Sequence, residues 1–514
     1  MMTNRVFYFN IIVGIISFLL INCKSKNTKL KNKEDISYTI TFDANNKKLA
    51  KVQAVFTPKD SILYMGWGAT NLPKRWATFV HNIKVTNAQN KPIKIEALED
   101  AKWQIEAPLD DEVTLSYDIH LEHENYDWSS GIDAVAYTTD LGVFYTGRTL
   151  FILNAEQREN INITFNIPKN WKITNPWTTT KYNQHSYQAN NHTDLLTALI
   201  FAGTHKEIAI KREDFELVFA LGSEDIRNQE VELKNLAQGV LDYYIELMGG
   251  IPNPSPETPL NKSVVVISSS DKTDGEAMGN NISVLIEKNG NELSKTFSRF
   301  IFAHEFFHLW SGKSFSPASN DTEWFKEGFT NYYTLKALHH VNFLTDESYL
   351  DFLSSFFYKR YNDDEGVGKY VMADGEKKHD HWGLVYAGGM LAGISQDIII
   401  RDATNNENSI DDLMRYLFKK YGGTNNTYNI EELQHVITEL SGTDQTQFFN
   451  SYITGINKIP IDKYLTKTGL NAKIEDGNLK ISKKKELTQK QINMLKGLLG
   501  DINIREQHYK IKNN

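Results

Sequence analysis

His304, Glu305 and His308 fall within about one helical turn, as His304-Glu305-Phe306-Phe307-His308. Glu327 follows nineteen residues later, in Glu323-Trp324-Phe325-Lys326-Glu327-Gly328-Phe329. Two histidines four apart share one face of a helix, so both can offer a neutral ring nitrogen to a single ion. A carboxylate returning from Glu327 would be a third ligand and would leave a fourth position for water. One zinc ion is the cofactor this set implies. Zinc lowers the pKa of water from about 15.7 to about 7. Glu305, one step round the helix from His304, would reach that water rather than the metal. It would take the proton and pass it to a leaving amine. A pair of hydrogen-bonded helix histidines would show the same His-Glu-x-x-His pattern, but it gives no reason for Glu327.

Cys23 is the single cysteine, so there is no internal disulfide framework and no multi-cysteine metal site. A metal here must be held by His and carboxylate. The chain has 514 residues, too many for one core, so two to four domains are expected. Hydrophobic residues make up 40% and charged residues 23%, the balance of an ordinary globular protein. The net charge is −8, and lysine gathers in the two terminal segments. That balance argues against nucleic acid as a partner.

The ligand histidines need a helix, and the pattern places one from about Ser294 to Phe315. Upstream, from about Ile36 to Trp177, the chain reads as short strands. Ser37 to Phe42 alternates, as do parts of Ala50 to Phe56, Val113 to Leu121 and Ile161 to Ile167. Turn residues fall between them, which predicts a β-sandwich. Glu216 to Leu221 and Val264 to Ile267 read as strands, with an amphipathic helix from Glu230 to Met248 between them. The polar stretch Ser268 to Asn281 then precedes the apolar Ile282 to Ile286. It reads equally as a substrate-binding edge strand or as a surface hairpin. From Ser294 to about Tyr452 the chain is mostly helical, with caps at Ser409 and Asn429. Tyr361 to His381 lacks periodicity and is expected to form a long loop near the cleft. The reading divides the chain into a leader (1–23), a flexible tether (24–35), a β-sandwich (36–180), a catalytic region (181–345), a helical region (346–470) and a short, weakly patterned tail (471–514).

The leader combines Arg5 with an apolar run from Ile11 to Ile21. The run is well short of the ~20 residues that span a bilayer, and it reads as an export signal. Leu20-Ile21-Asn22-Cys23 resembles the lipobox of bacterial lipoproteins, with Asn22 where a small residue is usual. A lipidated Cys23 would tether the body outside the cytoplasm, in the cell envelope at the outer membrane or in the periplasm. Each buried CH₂ of an acyl chain contributes ~0.8 kcal/mol to anchoring. An uncleaved anchor helix is the alternative, and it also places the body outside the cytoplasm.

The order His304 to Trp310, followed by Trp324-Phe325-Lys326-Glu327-Gly328-Phe329-Thr330-Asn331-Tyr332-Tyr333, resembles the glycyl aminopeptidase family of gluzincins. These are thermolysin-like zinc peptidases related to the alanyl aminopeptidases. Phe144 to Gly147, Tyr386 to Leu391, Ile410 to Arg415, Tyr421-Gly422 and Phe448 to Tyr452 also match. The resemblance spans roughly residues 36 to 470. It implies a multidomain fold: an amino-terminal all-β sandwich, a thermolysin-like α+β zinc peptidase domain and a carboxy-terminal α-helical domain. It also implies peptide substrates and a tyrosine that hydrogen-bonds the oxyanion. Tyr386 matches that tyrosine by position, with Gly388 where family members have lysine. A phenol donor aimed at developing charge is a sound physical device.

Family members carry a Gly-Gly-Leu-Glu-His-like segment whose glutamate binds the substrate's α-amine. The corresponding stretch here is Gly275-Glu276-Ala277-Met278-Gly279-Asn280-Asn281. Met278 occupies the glutamate position. Glu276, two residues earlier and on the same strand face, is the candidate replacement. Gly275, Glu276, Met278 and Asn280 are therefore the candidate substrate contacts. Many members carry a PDZ domain, which the tail here is too short to hold. His379 and His381 precede Tyr386 and read either as surface residues or as cleft residues. The expected function is a zinc metallopeptidase, an aminopeptidase by this resemblance. The alternatives are an endo- or oligopeptidase of the same fold, and a peptide-binding lipoprotein whose site has decayed.

Overall fold

The computed structural model describes residues 36–502, apart from 129–130, 156–160, 181–183 and 257–259. The leader, Cys23 and the tether lie outside the described residues.

The alternating segments form the expected sandwich. Its large sheet has eight strands, with Ile36–Asp43 between Asn46–Phe56 and Ile161–Asn166. Two four-stranded sheets cover it. Tyr38 stacks edge-on against Phe151 at 4.9 Å and Phe42 lies 5.7 Å from Tyr145, so inward side chains of facing sheets meet. Strands beyond residue 180 complete these sheets: Ser186–Ala189 joins the large one and Leu199–Gly203 a small one. Leu199–Gly203 is buried on both faces, so it reads as a continuous apolar run without alternation.

A second, five-stranded sheet follows. Its order is Lys206–Arg212, Phe215–Leu221, Lys262–Ser270, Asn281–Glu287 and Asp274–Met278. The three inner strands run parallel and the outer two antiparallel. Ser268 to Asn281 therefore resolves as an edge strand, Asp274–Met278, with its turn. The helix Glu292–Phe307 packs across this sheet, and Glu230–Met248 packs beside it.

The sheet, these helices and the downstream helices share one apolar core running from Ile208 to Leu499. At its centre lie Glu323–His340 and Gly388–Ala403. The segment Gly383–Ala403 is long and apolar enough to resemble a membrane span, but 89% of its most apolar 18 residues is buried inside the protein. It is apolar all round because it is packed all round. The tail is more ordered than its pattern predicts. Leu470–Glu475 and Asn478–Lys483 form a hairpin, and Gln489–Leu499 docks on the two central helices. Tyr349 donates its hydroxyl to Leu498 O at 2.9 Å.

Candidate metal centre

The helix that carries the histidines starts at Asn291, whose side chain accepts from Ser294 N at 2.9 Å. Phe300, Phe302, Phe306 and Phe307 bury its inner faces. The helix stops at Phe307 rather than Phe315, and His308 is its cap, still with helical dihedrals (φ −63, ψ −17). The chain then turns sharply. Gly312 takes φ +108, which a side chain would strain. The turn brings Ser311 O to 3.0 Å from His308 Nδ1. A proton on Nδ1 donates to that carbonyl and leaves Nε2 with its lone pair free for a metal.

Glu327 comes from the first turns of Glu323–His340. Lys326 holds its outer oxygen, with Nζ 3.2 Å from Oε1. Glu323 bridges Lys326 and Lys378, each at 2.7 Å, which ties the loop before Tyr386 to the ligand helix. Glu327 Oε2 is left facing the histidines, 3.4 Å from His304 Nε2 and 3.3 Å from His308 Nε2. The two Nε2 atoms are 3.1 Å apart. Three ligands at about 2.0–2.1 Å from a tetrahedral ion stand about 3.3 Å from one another. The three atoms therefore fit one metal ion, and among the described residues they are the one such group. Burial would raise the Glu327 carboxyl, but His308, His304 and Lys326 outweigh it and hold the group well below the usual carboxylate range. It is a ready anionic ligand.

The metal triad, Glu305, Tyr386, Gly275 and Glu276 line one cleft of about 630 Å³. Burial pushes Glu305 up to about 7, with Glu327 and Glu276 adding to the rise and His304 and Lys313 opposing it. A carboxyl poised there can both take and return a proton near neutrality. Tyr386 sits in a π-helical turn, Gly383–Ala387, just ahead of Gly388–Ala403. Such turns re-aim side chains at functional sites. Its ring stacks on Trp382 at 5.2 Å and 8°, and its carbonyl accepts from Asn331 Nδ2 at 3.2 Å. Burial, then Glu327, Glu305 and Glu323, raise its phenol, so it stays a proton donor. The space of the family's lysine at Gly388 is taken by Met372 and Tyr361, 2.9 and 3.0 Å from where a Cβ would lie.

Two expected substrate contacts lie elsewhere. Met278 is buried with Val264, Val266 and Leu285 against the β-sandwich. Asn280 lines a separate cavity. On the edge strand, Gly275 faces the ligand helix, its Cβ position 2.4 Å from Ile301. Even-numbered positions therefore face the sandwich. Met278, at the covered end, joins apolar residues there, whereas Asp274 and Glu276 reach the cleft. His379 lines the cleft, while His381 instead bonds Asp364 at 2.9 Å.

Residues no motif announced lie on the sandwich behind Asp274 and Glu276. A Cβ on Gly131 would lie 2.2 Å from Asp133 Oδ1 and 2.7 Å from Asp274 Oδ2, so these carboxylates flank Gly131. Asp133 is fully buried and, among the described residues, neither oxygen has a side-chain hydrogen-bond partner. Glu276 Oε2 is likewise buried and unbonded. Burial raises Glu276, Arg148 opposes the rise and Asp274 adds to it. Arg148 donates to Ala134 O at 2.6 Å and lies 5.1 Å from the Trp67 ring.

The Peptidase M61 N-terminal domain matches residues 37–204, and M61 glycyl aminopeptidase matches residues 298–390. Both belong to one family, in chain order, and the second match contains the triad, Glu305 and Tyr386. The chain belongs to the M61 glycyl aminopeptidase family. The first M61 match ends beside Gly203, where the sandwich ends. A crystal structure described as an aminopeptidase N family protein from Idiomarina loihiensis shares the fold, with a TM-score of 0.70 and 16% identity over 86% of this chain and 80% of that one. No curated protein matches the chain.

Proposed function

We propose that this M61 peptidase is a zinc-dependent aminopeptidase. The observation that carries the proposal is the convergence of His304, His308, Glu327, Glu305 and Tyr386 on one cleft that also exposes Asp274 and Glu276. Zinc, held by His304, His308 and Glu327, would supply Lewis acidity that polarises a carbonyl and acidifies water. Glu305 takes a proton from the attacking water as its oxygen bonds to the peptide carbonyl carbon. As the C–N bond breaks, Glu305 returns that proton to the leaving nitrogen. Tyr386 donates its O–H to the oxygen on which negative charge develops. Glu276 and Asp274 give that part of the cleft a negative field that favours a substrate ammonium group. Phe297, Phe300 and Trp382 form an apolar wall for a side chain.

The burial of Met278 favours one competing reading. The position expected to read the α-amine is turned away, and an endo- or oligopeptidase would not need it. Hydrolysis of a peptide with a free amino terminus, against the same peptide acetylated, separates the two. The aminopeptidase reading requires loss of activity on acetylation, and equal rates would overturn it. A decayed peptide-binding protein is disfavoured, because all five catalytic and ligand residues are retained in one cleft.

We also propose that Cys23 carries a lipid anchor and holds the body outside the cytoplasm in the cell envelope. Arg5, the apolar run and Leu20-Ile21-Asn22-Cys23 support this. Fatty-acid labelling should be lost in Cys23→Ser, and persistent labelling would refute it.

A further inference from the structure

Three lysines reach the metal cleft: Lys313, Lys326 and Lys378. Lys326 is held by Glu323 and Glu327, and Lys378 by Glu323. Lys313 makes no ion pair among the described residues. It is half-buried in the segment that leaves the ligand helix. It also lines a second cavity of about 630 Å³, together with Thr197, Lys262, Asn280 and Asn281. It thus stands between the metal cleft and the space beyond the covered end of the edge strand. Asp274 and Glu276, which also line the cleft, lie toward the other end of that strand, with Lys272 Nζ 3.8 Å from Asp274 Oδ2. Burial and the neighbouring Lys326 both disfavour the charged form of Lys313, and Glu305 only partly offsets them. An ammonium group held out of water without a partner is costly, and a carboxylate delivered to it would relieve that cost.

We infer that Lys313 is a specificity residue that binds a carboxylate of the peptide substrate. The carboxylate is either the α-carboxylate of a short peptide or an Asp or Glu side chain close to the scissile bond. Pairing with a partly desolvated lysine gives a short, charge-assisted contact that an amide cannot match. The cleft would then be bipolar, with carboxylates at one end of the edge strand and an unpaired ammonium at the other. The inference rests on the peptidase reading only for the identity of the ligand as a peptide.

The test compares matched peptides that differ in one charge: Ala-Ala with Ala-Ala-amide, Ala-Glu-amide with Ala-Gln-amide, and Glu-Ala-amide with Gln-Ala-amide. KM and kcat are measured with the zinc-loaded chain, and binding of the same peptides to the Glu305→Gln chain is measured by calorimetry. At least one carboxylate member should show about ten-fold lower KM and tighter binding than its amide partner. The pair that does so identifies the source of the carboxylate. The ratio should collapse in Lys313→Met and persist in Lys313→Arg. No charge preference in any pair overturns the inference without recourse to a variant. A preference that survives Lys313→Met overturns it too. Charge-selective binding without hydrolysis by the unmutated chain would count against the peptidase reading while supporting Lys313.

Discussion

Gly328 and Gly389 meet backbone to backbone. A Cβ on Gly328 would lie 2.2 Å from the carbonyl carbon of Gly389, and one on Gly389 would lie 2.0 Å from Trp324 O. This contact seats the helix carrying Glu327 against the helix that Tyr386 precedes, so one glycine pair sets the spacing of a metal ligand and the oxyanion donor. Gly328→Ala should push the helices apart, lower stability by about 1–3 kcal/mol and weaken metal binding. Chemical denaturation and metal titration check this. A variant of unchanged stability and metal affinity would show that the contact is not required.

Glu305 contributes no ligand atom to the triad. Glu305→Gln should therefore keep the metal and lose about 10²–10⁴-fold in kcat, the usual contribution of a general base. Loss of the metal together with activity would place Glu305 among the ligands instead.

Tyr386 keeps its phenol protonated in the cleft and packs on Trp382. Phe at this position preserves the ring and removes only the donor. The expected result for Tyr386→Phe is a fall of about 10²–10³-fold in kcat with little change in KM. A rise in KM at constant kcat would mean that the hydroxyl binds substrate rather than the transition state.

Asp133 couples the site to pH. Burial, then Asp274 and Glu276, push its carboxyl up to about 8, against an ordinary value of about 3.9. Between these values the folded chain binds the extra proton. Its contribution to stability is full below the ordinary value and is lost as pH rises toward 8. From pH 5 to 8, stability should therefore fall more steeply in the unmutated chain than in Asp133→Asn, by at most about 1.4 kcal/mol per pH unit. Parallel pH profiles in urea denaturation would contradict this.

The parts of the site that local spacing encodes were legible in the sequence. His304 and His308 share a helix face whatever surrounds them, and Glu327 lies in an aromatic-rich stretch that reads as a helix start. The caps at Ser409 and Asn429 form as their residue types predict. Features decided by tertiary contact were not legible. The helix ends at Phe307 and Gly312 turns the chain back onto His308, although Leu309, Trp310 and Phe315 continue the apolar pattern. Met278 is turned from the cleft because which face of the edge strand meets the sandwich is set by a domain far upstream in the chain. Asp133 and Lys313 carry no motif, and each matters through the partners it lacks among the described residues. The lysine-rich tail holds a hairpin and a helix whose Leu470, Leu479, Met494, Leu495, Leu498 and Leu499 are buried in the core.

The central claim is that His304, His308 and Glu327 hold a catalytic zinc ion. Metal analysis of the purified chain, paired with peptide hydrolysis before and after chelation, tests it most directly. The expected result is one zinc per chain, activity abolished by the chelator and restored by zinc, and neither zinc nor activity in Glu327→Ala. A purified chain that hydrolyses peptides without stoichiometric metal, or a Glu327→Ala variant that keeps its zinc, would contradict the claim.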